Sequence, residues 1–247
     1  MPTKVKCLAS LEAGKRDLWP DDIEIKILYC GICHSDIHHG YQVVPGHEIV
    51  GKVFRVGADV SKFQVGDSVG VGCMVNSCQT CATCKNDREQ YCDSTSFTYG
   101  TLDRRDGFRT YGGYTETIVV TEKFVLSIPA SLDLAGAAPL LCAGITTYSP
   151  LLRCGVRPRS KVGVVGLGGL SHMALKLAKS MSADVTLFSP DHFLISSNLE
   201  QMEAVSGQFE LIIDTVPYNH DPTVNSAPLR VVKCDVKYRF VIDIATL

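Results

Sequence analysis

The chain has 247 residues, of which 45% are hydrophobic and 20% are charged, and its formal net charge is −2. These values are typical of a soluble globular protein, and the charge gives no support to binding of nucleic acid or of an acidic membrane surface. No apolar run reaches the roughly 18 residues of a membrane span, and charges interrupt residues 1–20, where a secretory signal would need an apolar core. We therefore expect a cytoplasmic protein of one large domain or two small ones.

The segment around which the chain is organised covers residues 30–48 and reads CGICHSDIHHGYQVVPGHE. It follows residues 23–28, whose alternating apolar and charged side chains predict a half-buried strand. Cys33 and His47 lie fourteen residues apart, which is too far for a local zinc knuckle. A catalytic zinc ion takes ligands from such separated positions and keeps one position open, and Cys142 is the candidate for a third ligand. Taken alone, the pair fits equally well an interpretation without metal, in which Cys33 is a small core residue and His47 a hydrogen-bonded turn histidine.

Further short strands are predicted at residues 49–56 and 67–71, which favours a small barrel or sandwich. The sequence CQTCATCKNDREQYC follows, with two, two and seven residues between its successive cysteines, which are Cys78, Cys81, Cys84 and Cys92. Four thiolates so close together can complete a tetrahedral shell, which is typical of a structural zinc site. An iron–sulfur cluster is the alternative, but the gap of seven and the lack of a following proline argue against it.

The remaining pattern predicts a change of domain. Residues 114–128 have the character of a strand, and residues 134–148 that of an apolar helix containing Cys142. A strand at 161–165, a glycine-rich turn, a helix at 171–181 and a strand at 184–188 then form half of a dinucleotide-binding unit. Gly166 permits the tight turn, and Gly168 lets backbone amides approach a pyrophosphate. The motif alone is weak evidence, since its sixth position is Ser171, but the strand–turn–helix context strengthens it.

Several of these segments resemble the zinc-dependent medium-chain alcohol dehydrogenases, and most closely the plant cinnamyl alcohol dehydrogenase and mannitol dehydrogenase branch. The segments that carry the resemblance are CGICHSDIH, VPGHEIVG, VGDSVGVGC, the four-cysteine lobe, AAPLLCAGITTYSPL, VGVVGLGGLSHMALKLAK, IIDTVP and KYRFVID. The resemblance implies an α/β plus β fold, with a GroES-like β-barrel catalytic domain and a truncated Rossmann domain. It assigns residues 1–147 and 222–247 to the catalytic domain, residues 73–95 to the zinc lobe within it, and residues 148–221 to the nucleotide-binding domain.

The resemblance also implies a role for individual residues. Cys33, His47 and Cys142 would hold the catalytic zinc ion, with Glu48 as an occasional ligand, and Asp36 would accept from the other nitrogen of His47. Ser35 would hydrogen-bond the substrate oxygen, and His38 would pass the proton onward through the nicotinamide ribose. The residues implied in cofactor binding are Ser35, Thr146, Gly166, Leu167, Gly168, Gly169, Leu170, Ser171, Ser189, Thr215 and Arg239.

The implied reaction is the reversible reduction of cinnamyl-type aldehydes to primary alcohols, in phenylpropanoid (lignin) or mannitol-type metabolism. Two zinc ions per chain and NADP, in preference to NAD, would serve it. Zinc polarises the carbonyl group, and the nicotinamide delivers hydride. Members of the family are homodimers, but the segment that usually forms their interface has no counterpart here.

The chain departs from the family at three places. The loop before VPGHE is almost absent, VTLFSP runs directly into DHFLIS, which resembles the next strand, and DTVP is followed within a few residues by a segment like the family's C-terminus. These gaps leave a second hypothesis open. The chain could be a catalytically inactive, truncated relative, such as a splice product or an imperfect gene model, that retains zinc binding only.

Overall fold

The computed structural model describes residues 18–38, 43–188 and 198–216. The chain divides into two compact units, Met1–Cys142 and Ala143–Leu247. Several sequence predictions lie outside the described residues: Ser189, Arg239, the DHFLIS strand and the assignment of residues 222–247.

The first unit is built on a five-stranded antiparallel sheet. Its strands are β1 (Asp22–Cys30), β2 (Ile49–Val56), β3 (Ser68–Val71), β6 (Thr117–Thr121) and β7 (Leu126–Ser127), in the order β6-β1-β2-β3-β7. Ile23 and Ile25 alternate with charged residues along β1, and both are completely buried. Because Ile25 is paired with Val53 of β2, the branched residues of neighbouring strands meet on one face and form the core.

The order of these strands requires the sheet to curl. β6 and β7 lie at opposite edges, which in a flat sheet of five strands would be about 19 Å apart, given strand spacings of about 4.8 Å. Only residues 122–125 connect them, and most of that connection is a 3-10 turn, Glu122–Phe124, which rises about 2 Å per residue. The two edges are therefore close together. The single strand predicted at 114–128 is wrong, because this turn carries the chain from one edge to the other.

The helix predicted at residues 134–148 is also interrupted. The structure has α2 (Leu134–Ala137), a 3-10 turn (Ala138–Leu141) and then α3 (Ala143–Arg153). Pro139 occupies the start of the 3-10 turn, where its missing N–H is tolerated. Cys142 lies between the two segments with φ −127° and ψ −74°, outside helical conformation. This break separates Cys142 from both helices.

The four-cysteine lobe projects from a two-stranded hairpin. The strands of this hairpin are β4 (Met74–Asn76) and β5 (Ser96–Phe97), and between them lie α1 (Ala82–Lys85) and a 3-10 turn (Glu89–Tyr91). Gln79 and Asp87 have positive φ angles of 57° and 54°, which a non-glycine residue adopts only in tight turns. The lobe is therefore a sequence of turns whose ends are joined by a hairpin.

The second unit contains a three-stranded parallel sheet in the order β10-β8-β9. Its elements are β8 (Lys161–Val165), α4 (Gly169–Ser180), β9 (Asp184–Phe188), α5 (Leu199–Ala204) and β10 (Leu211–Asp214). Val162 and Val164 of the central strand are completely buried against Ala174 and Ala178 of α4. The strands predicted at 161–165 and 184–188 have the observed bounds, and the predicted helix begins two residues earlier, at Gly169.

In the described part of the chain, no single helix is both long and apolar enough to cross a membrane. Two helical segments joined at a bend of 58°, Leu134–Leu141 and Ala143–Arg153, reach the required length and hydropathy only when they are counted together.

Candidate metal and dinucleotide sites

Three potential metal ligands converge in the first unit. Cys33 precedes the 3-10 turn His34–His38, His47 lies two residues before the start of β2, and Cys142 lies at the helix break. The Sγ atoms of Cys33 and Cys142 are 3.8 Å apart, and Nε2 of His47 is 3.2 Å from Cys142 Sγ. All three ligand atoms lie within 4.8 Å of one another. The fold thus brings together the three residues that the sequence analysis selected from distant positions.

The spacing of these atoms fits a tetrahedral zinc ion. A disulfide would place the two sulfur atoms about 2 Å apart, so the observed 3.8 Å between Cys33 and Cys142 is not a bond. Zinc–sulfur distances of about 2.3 Å place two sulfurs of a tetrahedron about 3.8 Å apart. The donor set of two cysteines and one histidine is one that zinc uses in catalytic sites. The residues present therefore fit this ion.

The metal-free ligands share charge unequally. Hydrogen bonding from Cys142 lowers the pKa of Cys33 to about 4, so Cys33 is a thiolate at neutral pH. The same hydrogen bond to Cys33, together with burial, raises the pKa of Cys142 well above its usual range. Burial opposes protonation of His47, but its contact with Asp36 and the Cys33 thiolate outweighs this and raises its pKa to about 9. In this cluster, the Cys33 thiolate and the protonated His47 ring therefore form an anion–cation pair at neutral pH.

Asp36 orients the histidine ligand. Its Oδ1 atom is 3.1 Å from His47 Nδ1, so Nε2 faces the two sulfur atoms. Asp36 is 6% exposed; although burial raises its pKa, hydrogen bonds from His47 and from the Cys33 backbone N–H outweigh this and lower the value to about 2. A buried carboxylate that receives several donors stays ionised and fixes the tautomer of the histidine.

Ser35 lies against the same ligands, and Glu48 lies beside them. The Ser35 hydroxyl donates to Cys33 Sγ at 3.1 Å and is 3.5 Å from His47 Nε2. Glu48 is buried, and its Oε2 atom would be 1.9 Å from a Cβ added to Gly31, so only glycine leaves room for this carboxylate. Among the described residues, the group of converging ligand atoms does not include Glu48. For His38 the structure describes the backbone, at the end of the 3-10 turn.

The four cysteines of the lobe also converge. Their ligand atoms lie within 4.8 Å of one another, with Cys78 Sγ 3.9 Å from Cys84 Sγ. The backbone N–H of Cys81 donates to Cys78 Sγ at 3.4 Å, and that of Ser94 donates to Cys92 Sγ at 3.3 Å. Such N–H donors favour thiolates, and hydrogen bonds from the Thr80 and Cys81 backbone lower the pKa of Cys78 to about 6.

In the second unit, the glycine-rich turn connects β8 to α4. Gly166 has φ +100°, and an added Cβ would meet Thr215 Oγ1 at 2.8 Å, so this position requires glycine. An added Cβ on Gly168 or Gly169 would meet nothing within 4 Å. The turn therefore has open space beside its second and third glycines, at the N-terminus of a helix. Leu167 is 64% exposed and Leu170 is partly buried.

The Ser171 side chain, at the sixth motif position, faces the interior. Ser171 is completely buried, its Oγ atom accepts from the Gly168 N–H at 3.1 Å, and it is 2.6 Å from Thr215 Oγ1. Thr215 in turn donates to the Val165 carbonyl at 2.8 Å. These two hydroxyls join the turn to the end of β10. Any contact of Ser171 with a phosphate would come from its backbone.

The Thr146 side chain on α3 lacks the kind of hydrogen bond that its neighbour Thr147 makes. Its side chain is buried, and Oγ1 has no hydrogen-bond partner in the described residues. The Thr147 hydroxyl, by contrast, donates to the Ala143 carbonyl at 2.8 Å. A buried hydroxyl without a partner costs free energy, which is consistent with a ligand group as its missing partner.

Sequence analysis missed two residues of the three-ligand site. The hydroxyls of Tyr99 and Tyr114 each donate to Asp36 at 2.9 Å. Both lie outside the motif that carries Asp36, at separations of 63 and 78 residues. No spacing rule links a tyrosine to a carboxylate so far away in the chain.

Comparisons with known proteins agree with this architecture. Residues 19–130 match the family model described as alcohol dehydrogenase GroES-like domain. The mannitol dehydrogenase of Apium graveolens is 46% identical over 86% of this chain and 64% of its own length. That of Petroselinum crispum is 47% identical over 86% of this chain and 70% of its own length. An NADP-dependent alcohol dehydrogenase C 1 of Mycolicibacterium smegmatis is 49% identical over 84% and 66% of the two chains.

Solved structures give the same result. A cinnamyl alcohol dehydrogenase from Sorghum bicolor has a TM-score of 0.83 and 43% identity, over 87% of this chain and 67% of its own. The "CAD" of Helicobacter pylori complexed with NADP(H) has a TM-score of 0.77 and 42% identity, over 85% of this chain and 65% of its own. These matches confirm the predicted fold class, which combines a GroES-like domain with α/β structure.

The chain belongs to the zinc-dependent medium-chain alcohol dehydrogenase family, in its cinnamyl alcohol dehydrogenase and mannitol dehydrogenase branch. It spans 64% of the length of the Apium graveolens relative.

Proposed function

We propose that this chain is an alcohol dehydrogenase that binds two zinc ions and uses NADP(H) to reduce cinnamyl-type aldehydes reversibly to primary alcohols. The observation that carries the proposal is the convergence of Cys33, His47 and Cys142 with the Ser35 hydroxyl beside them. Three protein ligands leave one position of a tetrahedral zinc ion open, as a catalytic zinc site requires. The four-cysteine lobe supports the second zinc ion.

The chemistry divides between the bound groups and the chain. Zinc, when bound, supplies a Lewis acid for a carbonyl oxygen, and NADPH supplies hydride. Ser35 holds a transferable proton at Oγ beside the ligands, and His38 is the predicted next residue in the path of that proton. Asp36 keeps His47 in the tautomer that presents Nε2 to the metal. These residues hold the ligands in place and control one proton.

The second unit supports the cofactor assignment. Open space beside Gly168 and Gly169 leaves the backbone of the turn and the first turn of α4 accessible to an anion. The unpartnered Thr146 hydroxyl offers one more polar contact. NADP rather than NAD is favoured by the NADP-dependent relative from Mycolicibacterium smegmatis and by the Helicobacter pylori structure, which is a complex with NADP(H). Ser189 and Arg239 remain predicted cofactor contacts.

The test is a titration of the zinc-loaded full chain with NADPH, followed by turnover. We expect saturable quenching of protein fluorescence, and then oxidation of NADPH when cinnamaldehyde is added. Ser35→Ala is the matched variant, because it removes the proton donor without removing a metal ligand, so it should keep its zinc and turn over far more slowly. Failure of NADPH to bind would favour the inactive relative that retains zinc only. Binding without turnover of any aldehyde or alcohol would contradict the proposed reaction.

A further inference from the structure

Asp36 connects two of the three potential metal ligands, one through each carboxylate oxygen. Oδ1 accepts from Nδ1 of His47 at 3.1 Å and from the backbone N–H of Gly46, also at 3.1 Å. Oδ2 accepts from the backbone N–H of Cys33 at 3.0 Å. The orientation of this single carboxylate therefore determines the positions of both the Cys33 segment and the His47 ring.

A tyrosine hydroxyl binds each of these oxygens. Tyr99 donates to Oδ1 at 2.9 Å, and Tyr114 donates to Oδ2 at 2.9 Å. The Tyr99 ring also packs against the His47 ring, with centroids 5.7 Å apart and an angle of 37° between the planes. With these two, the carboxylate receives five donors. An ionised carboxylate has about four lone-pair sites, so Asp36 is fully satisfied and cannot rotate without losing bonds.

The backbone holds Tyr114 in register with the ligand segment. The N–H groups of Gly113 and Tyr114 donate to the carbonyls of Gly46 and Pro45 at 2.7 and 3.1 Å. A Cβ added to Gly113 would meet Cys30 Sγ at 2.5 Å, so this close approach depends on glycine. The segment that presents His47 and the segment that presents Tyr114 are thus packed directly against each other.

We propose that Tyr99 and Tyr114 are positioning residues of the three-ligand site, which fix the Asp36 carboxylate so that His47 and Cys33 are held ready for a metal ion. The inference rests on the proposed metal centre. Each hydroxyl donates to Asp36, and the Tyr114 hydroxyl is also 3.3 Å from the Gly31 carbonyl oxygen, two residues before Cys33. Tyr99 serves the oxygen bound to the histidine ligand, and Tyr114 serves the oxygen bound to the cysteine backbone.

The experiment compares Tyr99→Phe and Tyr114→Phe with the unmodified chain. Tyr111→Phe is the matched control, because Tyr111 lies in the same segment but packs against Phe108, with ring centroids 6.0 Å apart. Zinc affinity is measured by competition with a chromophoric chelator. Substitutions of outer-shell partners typically cost 10–100-fold in metal affinity, so we expect each variant to weaken the three-ligand site by about tenfold or more. The visible spectrum of the cobalt-substituted protein should change in the same two variants.

The four-cysteine site is an internal reference in each measurement. A general loss of structure would weaken both metal sites, whereas loss of positioning would weaken only the three-ligand site. Repeating the substitutions in an Asp36→Asn background sharpens the test, because the effect of each tyrosine should then largely disappear. If both variants bind zinc as the unmodified chain does, or if both sites weaken equally, the inference is wrong. If the unmodified chain itself binds no metal at the three-ligand site, the proposed function fails instead.

Discussion

The three-ligand site and the four-cysteine lobe are assembled in opposite ways. Cys33 and Cys142 are 109 residues apart in the chain, and both must be brought to His47 by the folded sheet and the helix break. The lobe's four cysteines all lie within residues 78–92. The lobe's ligands thus come from one short segment, whereas the three-ligand set is drawn from segments far apart in the chain that the folded first unit brings together.

The groups that surround the ligands also differ between the two sites. At the three-ligand site a buried carboxylate, Asp36, orients a histidine, and a hydroxyl from Ser35 lies beside the ligands. In the lobe, the thiols of Cys78 and Cys92 receive backbone N–H groups, and the hydroxyls of Thr83 and Ser77 lie 2.9 and 3.4 Å from the sulfur atoms of Cys81 and Cys84. The comparison teaches that hydroxyl groups lie beside both ligand sets. The three-ligand site is distinguished by a histidine whose orientation a buried carboxylate fixes, and the lobe by a fourth converging thiol.

The largest effect is expected from His47→Ala. Two cysteines remain, which is fewer than the three protein ligands of a catalytic zinc site, so the variant should lose all dehydrogenase activity and one zinc ion. Activity is measured with NADPH and cinnamaldehyde, and metal content by atomic absorption. The lobe zinc should remain. Loss of both ions together would contradict the independence of the two sites.

Cys81→Ala should have the complementary effect, because a structural zinc ion contributes directly to folding. We expect one zinc ion to be lost and the melting temperature to fall by about 10 °C or more, given that 1 kcal/mol corresponds to about 2–4 °C in a chain of this size. Cys73→Ala is the control, since Cys73 belongs to neither ligand group. A melting temperature equal to that of the control would count against a structural metal in the lobe.

Zinc binding at the three-ligand site should strengthen steeply as the pH rises. In the metal-free protein the pKa of His47 is about 9 and that of Cys142 is higher still, whereas the pKa of Cys33 is about 4. At pH 7 zinc must displace the protons of His47 and Cys142, so two protons are released, and affinity should change by about 100-fold per pH unit. Above about pH 9, where His47 is neutral, the slope should halve. Calorimetry in buffers of different ionisation enthalpy counts the protons; release of none at pH 7 would show that the charges are assigned wrongly.

The smallest effects concern the dinucleotide turn. Gly166→Ala forces a side chain into a positive φ and against Thr215, which should destabilise the fold by about 1–3 kcal/mol. Gly168→Ala, at φ −98° and with open space beside it, should leave stability nearly unchanged but weaken NADPH binding. Chemical unfolding and NADPH titration of both variants test this contrast. Equal NADPH affinity in Gly168→Ala and the unmodified chain would argue against a phosphate at the turn.

The sequence predicted regular elements well where one periodicity applied throughout. The strands at 49–56, 161–165 and 184–188 have the observed bounds because each is paired or buried along its whole length. The strand at 114–128 and the helix at 134–148 were wrong. In both, apolar residues continue through a change of direction, at the Glu122–Phe124 turn and at Cys142, which only the tertiary structure requires.

The same distinction applies to the candidate sites. Local spacing is enough to group the cysteines of the lobe, whereas Cys142 was only a candidate partner of Cys33 until the family resemblance assigned it to the same ion. Tyr99 and Tyr114 could not be predicted, since they reach Asp36 only through the folding of distant segments. Ser171 was selected as a cofactor contact from its place in the motif. Its buried hydroxyl bonds to Gly168 and Thr215 instead, which no pattern reveals.

The account depends most directly on two separate metal sites, and native mass spectrometry of the zinc-loaded full chain tests this. We predict a mass corresponding to two zinc ions per chain, with one ion retained in His47→Ala and one retained in Cys81→Ala. The double variant should retain none. A single ion in the unmodified chain that persists in either variant would contradict the division into one site for chemistry and one for structure.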